Sequence, residues 1–210
     1  MTLQEIYTKY KIPPNLIRHQ AQVAAVGRYV CDHWIGPEIN TSLVVKMLLL
    51  HDLGNIVKFK RPFLGELEAE AAYWEGVQQE FISSYGTDAN DATEKIVAEL
   101  GFSQIHDLLV HMKDVWEKPE ANVSWEARIS EFADCCVTPK GIEGFETRMD
   151  DLQIRYGHGK DTTVQQAMRR NAEMIQENVD TDLRNLSRID LSQEMKAVSG
   201  EGFDPSTATL

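Results

Sequence analysis

The side chains of this chain with the most chemical potential are two histidines and two aspartates, His19, His51, Asp52 and Asp134. His19 falls three residues after Leu16 and four before Val23, so on a helix it leaves from the apolar face rather than the solvated one. His51 stands four residues after Met47 and three after Leu48, which puts a second imidazole on an apolar face with the carboxylate of Asp52 beside it. Asp134 lies one turn after Ser130, on a helical face shared with Ala127 and Val137. Imidazole nitrogen and carboxylate oxygen together suit a divalent Mn, Fe, Co, Ni, Zn or Mg ion, and a helical bundle can hold such ligands on facing helices. A cation would also offset the cost of burying Asp52. Taken singly, each residue has a plainer role, the histidines as core side chains satisfied by backbone or water and Asp134 as a surface or capping carboxylate. Their conjunction is what points to a metal.

These ligands need rigid elements, and the elements read as helices. Few windows alternate apolar and polar residues, whereas a 3.6-residue apolar period recurs throughout, so the fold class is all-α. Pro13 and Pro14 open a helix that runs to about Trp34, where Gly36-Pro37 stops it, with Leu16, Val23, Val26 and Val30 as its apolar stripe. A second helix starts at a Thr41-Ser42 cap and carries Val44, Met47 and Leu48 towards the His51-Asp52 doublet, with Gly54 as an early stop signal. Further helices are expected at 66–85, 90–100, 103–116, 124–137, 143–156 and 161–187, separated by breaks at Gly86, Gly101, Pro119, Pro139-Lys140-Gly141 and Gly157-His158-Gly159. No repeat and no dividing linker is visible, so 1–190 reads as a single domain, and the small, polar stretch 199–210 as a loose tail.

The 210 residues suffice to bury a core without disulfides or structural metal. Acidic residues outnumber basic ones 33 to 21, a net charge of −12 that would repel a phosphate backbone, so no nucleic-acid partner is expected. The longest apolar block, 43–50, contains Lys46 and is too short to span a bilayer, and the first residues show no secretory signal. Cys135 and Cys136 are adjacent and Cys31 stands alone, which fits neither a disulfide framework nor a zinc spacing, and a cytoplasmic location is expected. Within this acidic chain Lys58, Lys60 and Arg61 form a compact basic run near the doublet, and Arg18 adjoins His19. Such charges suit an anionic substrate, or form a solvated patch balanced by Glu66, Glu68 and Glu70. Lys140 and Arg148, after Asp134, are secondary candidates.

The ordered quartet resembles the HD superfamily of metal-dependent phosphohydrolases, whose ligands run His, then His-Asp, then a distant Asp. His19 in IRHQAQVAAVG matches the first histidine, His51-Asp52 in KMLLLHDLGN matches the doublet after an apolar run, and Asp134 in ISEFADCCV matches the closing aspartate. The resemblance covers about residues 13–156 and implies a helical bundle of the HD-domain type. It implies one divalent metal held by His19, His51, Asp52 and Asp134, and hydrolysis of a phosphate ester of a small molecule, a nucleotide among the candidates. Metal would activate water with Asp52 or Asp134 hydrogen-bonded to it as the catalytic carboxylate. Arg18, Asn55, Lys58, Lys60 and Arg61 are the expected substrate contacts.

Two departures from the family pattern matter. Hydrolases of guanosine tetraphosphate carry further acids shortly after the doublet, where this chain has Asn55; an amide can orient water or a phosphate oxygen but cannot act as a general base near neutral pH. That change favours the alternative of a metal-binding regulatory or ligand-binding module without hydrolytic activity. Some family members hold a second metal through extra histidines. Here His111, in IHDLLVHMK, is placed like the second of these, but the position of the first reads Asn90-Asp91-Ala92-Thr93. One metal is therefore expected, with His111 a candidate for an incomplete second site or the surroundings of the first. His106 reads as a surface residue, and His33 and His158 flank loops. Exposed helix faces leave room for a homodimer.

Overall fold

A computed structural model of the chain describes residues 1–63, 65–118, 122–156 and 162–199. Pro119, the break at 157–159 with His158, and the tail from 200 lie outside the described residues. Among the described residues the fold is mostly helical, with one two-stranded hairpin. Helix α1 spans Leu3–Lys9 and α2 spans Pro14–Asp32. Proline fits the first turn of α2 because that position has no intrahelical N–H bond to lose. Helix α3, Thr41–Leu48, is capped one residue earlier than the sequence indicates, since the Asn40 side chain accepts from Leu43 N at 3.0 Å. It also ends sooner, so His51 and Asp52 stand in the turn after it rather than on its face. A 3-10 turn, Asn55–Lys58, follows.

The stretch expected as a helix at 66–85 begins as a 3-10 turn, Gly65–Glu70, and becomes α4 at Ala71–Tyr85. Helices α5 (Ala89–Glu99) and α6 (Ser103–Glu117) lie close to their expected bounds. Helix α7, Trp125–Asp134, stops at the candidate ligand instead of running to 137. Val137–Thr138 (β1) and Gly141–Ile142 (β2) then pair as an antiparallel hairpin, with Gly141 at a φ of 125° that an L side chain rarely adopts. Helix α8 is Phe145–Tyr156. The single helix expected over 161–187 is instead α9, Thr163–Glu177, and a separate 3-10 turn, Leu183–Arg188. The chain breaks between them because Val179 pairs with Trp34, a distant contact without a local signal. Helices α1 and α10 (Ser192–Ser199) occur where the apolar period predicts none. Helices α2, α3, α6 and α7 pack together, with α10 against α2, around a core that includes Val23, Val26, Val30, Met47, Leu48, Ile129 and Phe132. Among the described residues no helix is long and apolar enough to cross a membrane.

Candidate metal centre

Three segments bring the candidate ligands together: α2 carries His19, the turn after α3 carries His51 and Asp52, and α7 ends on Asp134. Helices α2 and α3 approach closely at Gly27, where a Cβ would lie 2.3 Å from Leu48 Cδ1. The doublet's turn is fixed by side chains from four helices. Tyr7 Oη donates to Leu49 O at 2.6 Å, Asp52 N donates to Gln20 Oε1 at 3.2 Å, Gly54 N donates to Thr93 Oγ1 at 2.9 Å, and Gln78 Nε2 donates to Ile56 O at 2.8 Å. Gly54 is not a helix stop. A Cβ there would stand 2.6 Å from each of Ala89 O, Ala92 Cβ and Thr93 N, so the residue is glycine because the backbone of α5 approaches it.

His19 Nε2 lies 3.2 Å from Asp134 Oδ1 and 3.5 Å from Asp52 Oδ2. His51 Nε2 lies 3.5 Å from Asp134 Oδ1 and 3.8 Å from Asp52 Oδ1. Ligands sitting about 2.1 Å from one ion are separated by roughly 3–4 Å, and one atom from each of His19, His51 and Asp134 falls within 4.8 Å of the others. These three residues can therefore hold a metal ion, and Asp52 flanks both histidines. The chemistry of His51 fits that role. Its Nδ1 meets Leu48 O at 2.6 Å and so carries the hydrogen, which turns Nε2 towards the carboxylates. Nε2 is buried without a hydrogen-bond partner, a cost that a metal ligand avoids.

Electrostatics at the site favour positive charge beside the carboxylates. Burial opposes a charge on the His51 ring, but the carboxylates of Asp52 and Asp134 and the Leu48 carbonyl outweigh it, and the pKa is pushed up to about 9. Burial likewise opposes ionisation of Asp134, yet the adjacent His19 and His51 rings hold it well below the usual carboxylate range. A proton on His51 or a divalent cation can supply the charge.

Two buried polar residues around the site were not singled out from the sequence. Gln20 is fully buried and ties the backbone of Asp52 to α2. Glu131, one turn before Asp134, is 2 % exposed; it accepts from Asn171 Nδ2 at 2.7 Å and from Cys135 Sγ at 3.1 Å. Burial raises its pKa to about 7 against these bonds. The spacing that marked His19 marks both: Gln20 is four residues after Leu16, and Glu131 is four after Ala127.

A cleft of about 480 Å³ opens on the cluster, lined among others by His19, Asp52, Asp134, Arg18, Asn55 and Lys58. Asn55 is buried and Lys58 exposed. Arg18 is held by Glu66 through contacts of 2.6 and 3.3 Å. The other residues of the basic run are directed elsewhere: Lys60 is exposed and does not line the cleft, and Arg61 donates to Gln78 Oε1 at 2.8 Å with Glu75 3.9 Å away. His111 is exposed on α6 and does not line it either. His106 lies beside Asp107, and His33 pairs with Asp180 at 2.8 Å. Lys140 is exposed at the hairpin turn, whereas Arg148, on α8, reaches the cleft. No family model, curated protein or solved structure matches the chain.

Proposed function

We propose that this protein is a metal-dependent phosphohydrolase of HD type that cleaves a phosphate ester of a small molecule, with nucleotides among the candidate substrates. The observation that carries the reading is the convergence of His19, His51, Asp52 and Asp134 from three separate segments on a buried, unpartnered imidazole nitrogen. A divalent cation bound there supplies Lewis acidity towards a phosphoryl group and towards water. The chain's own residues do the rest. Leu48 O fixes the His51 tautomer, and Gln20 holds the backbone of Asp52 so that its carboxylate faces both histidines. Asp134, held ionised beside both histidines, can accept a hydrogen bond from a water in the cleft. Asn55, buried at the cleft wall, offers an amide that orients water or a phosphate oxygen without taking a proton.

That same amide favours a second reading, a regulatory or ligand-binding module that keeps the metal but hydrolyses nothing. Elemental analysis of freshly purified protein, followed by assays of phosphomonoesters, nucleotides and cyclic nucleotides with Mn, Co, Ni and Mg, separates the two. Hydrolysis that is lost on chelation and restored by metal is the expected result. Stoichiometric metal without turnover of any compound transfers the assignment to the module, and protein that binds no metal under any condition overturns both.

A further inference from the structure

The basic run was the sequence's candidate for anion recognition, but the folded chain distributes its cations differently. Arg61 is engaged by Gln78 and Glu75, Lys60 lies off the cleft, and Arg18 meets the Glu66 carboxylate with two of its nitrogens. Arg148, which belongs to no basic cluster, lines the same cleft as the metal ligands with only 19 % of its side chain exposed. Its Nη1 reaches Asp151 Oδ2 at 3.2 Å, and its Nε is buried with no hydrogen-bond partner among the described residues. A guanidinium is planar and made for two-pronged contact with an oxyanion. One that is mostly buried and left short of acceptors is under-satisfied until something in the cleft completes it.

The position of Arg148 is also well fixed relative to Asp134. Directly after α7 the chain forms the β1–β2 hairpin and then turns back, so that Glu143 N and Gly144 N both donate to Cys136 O, at 3.1 and 3.0 Å. Gly144 takes a φ of 84° at this return, a conformation that glycine adopts without steric cost. Phe145 then stacks on Phe132 of α7, with ring centroids 5.9 Å apart and planes inclined by 11°, and Met149 is fully buried. Arg148 thus projects from a helix locked to the element that ends on Asp134. Thr138 of the hairpin and Lys58, exposed at the cleft, line the same space.

We propose that Arg148 is the principal anion-recognition residue of this cleft, binding phosphoryl oxygens of the substrate, with Lys58 adding a weaker, solvent-screened charge. The proposal rests on the hydrolase reading for the identity of the anion, and it assigns the main substrate contact to α8 rather than to the basic run. Burial separates the two cations, because charge interactions at a mostly buried group are screened less than at an exposed one.

The test uses the full chain loaded with Mn and inorganic phosphate as the probe, titrated calorimetrically, with metal content and melting temperature measured in parallel. Arg148→Gln should weaken phosphate binding about tenfold or more, the loss expected for a hydrogen bond to a charged partner, with metal stoichiometry retained. Lys58→Gln should weaken it less than about threefold, as for an exposed ion pair. Arg148→Lys, which keeps the charge but loses the planar fork, should fall between wild type and Arg148→Gln, and it serves in place of the glutamine variant should that chain not fold. Unchanged phosphate affinity in Arg148→Gln, or in Arg148→Lys where only that variant folds, overturns the proposal, as does a wild type that binds no phosphate. The same titration in EDTA-treated protein keeps the two readings apart. A wild type that binds no metal but still binds phosphate through Arg148 would sink the hydrolase and leave the anion site standing.

Discussion

The His51-Asp52 doublet and the basic run are near neighbours in the sequence, yet they are held by opposite means. The ring of His51 is 2 % exposed, and the turn that carries it is tied down by Tyr7, Gln20, Thr93 and Gln78. Lys58 and Lys60 are exposed, and Arg61 is directed to residues of α4. Buried polar groups must find partners inside the protein, so their positions are determined by the fold. Exposed cations are satisfied by water wherever they point, and their proximity in sequence to a site says little about contact with it.

Removing a ligand is the most severe way to break this contrast. His51→Ala and Asp52→Ala should each abolish stoichiometric metal binding, because the remaining ligands lose both a donor and its orienting partner; full occupancy by elemental analysis in either variant would remove the quartet. His111→Ala should leave one metal per chain.

Next in size is the pH dependence created by Glu131. Its pKa is raised from 4.5 in the unfolded chain to about 7 in the fold, so the folded state favours the protonated acid. The resulting stabilisation is fully present below about pH 4.5 and is lost as pH rises through about 7, a change on the order of 3 kcal/mol. Urea unfolding of metal-free wild type and Glu131→Gln at about pH 5 and about pH 8 should show the smaller loss in the variant. Equal losses would place the Glu131 carboxylate in an ordinary environment.

Gly54→Ala probes the clamped turn from the backbone side. Its Cβ would meet α5 backbone and Ala92 at 2.6 Å, so the turn or the helix must move, at a cost of about 2 kcal/mol together with weaker metal binding. A variant with wild-type melting temperature and metal affinity would show that α5 does not constrain the doublet. The smallest effects belong to the basic run: Lys60→Gln should change stability and kcat/KM by no more than about 0.5 kcal/mol, and Arg61→Gln should act on the melting temperature through Gln78 rather than on turnover. A tenfold fall in kcat/KM for Lys60→Gln would return the run to the site.

Most helices were legible because apolar residues recur with their period and breaks fall at Gly86, Gly101 and the prolines. The same periodicity marks His19, His51 and Asp134, with Asp52 beside the second histidine, although α3 ends before it reaches His51. Its inward orientation comes instead from the bond to Leu48 O. The hairpin after α7 was hidden because two-residue strands are too short to show alternation, and the break after α9 because it depends on Trp34, far away in sequence. Arg148 could not be placed on the cleft without that hairpin, since only the chain reversal at Gly144 brings α8 back beside α7.

The clamped turn around the doublet has a bearing on when the proposed cation site could close. His19, His51 and Asp52 are all synthesised early, but the bonds from Gln78 and Thr93 await α4 and α5, and Asp134 arrives only with α7. Closure of the site therefore depends on contacts between segments far apart in the chain, which form at an entropic cost that local helices do not bear. Metal affinity at the proposed site would in this way be coupled to completion of the fold, and a nascent chain bearing three of the four proposed ligands would hold a cation poorly until the helices that follow have docked.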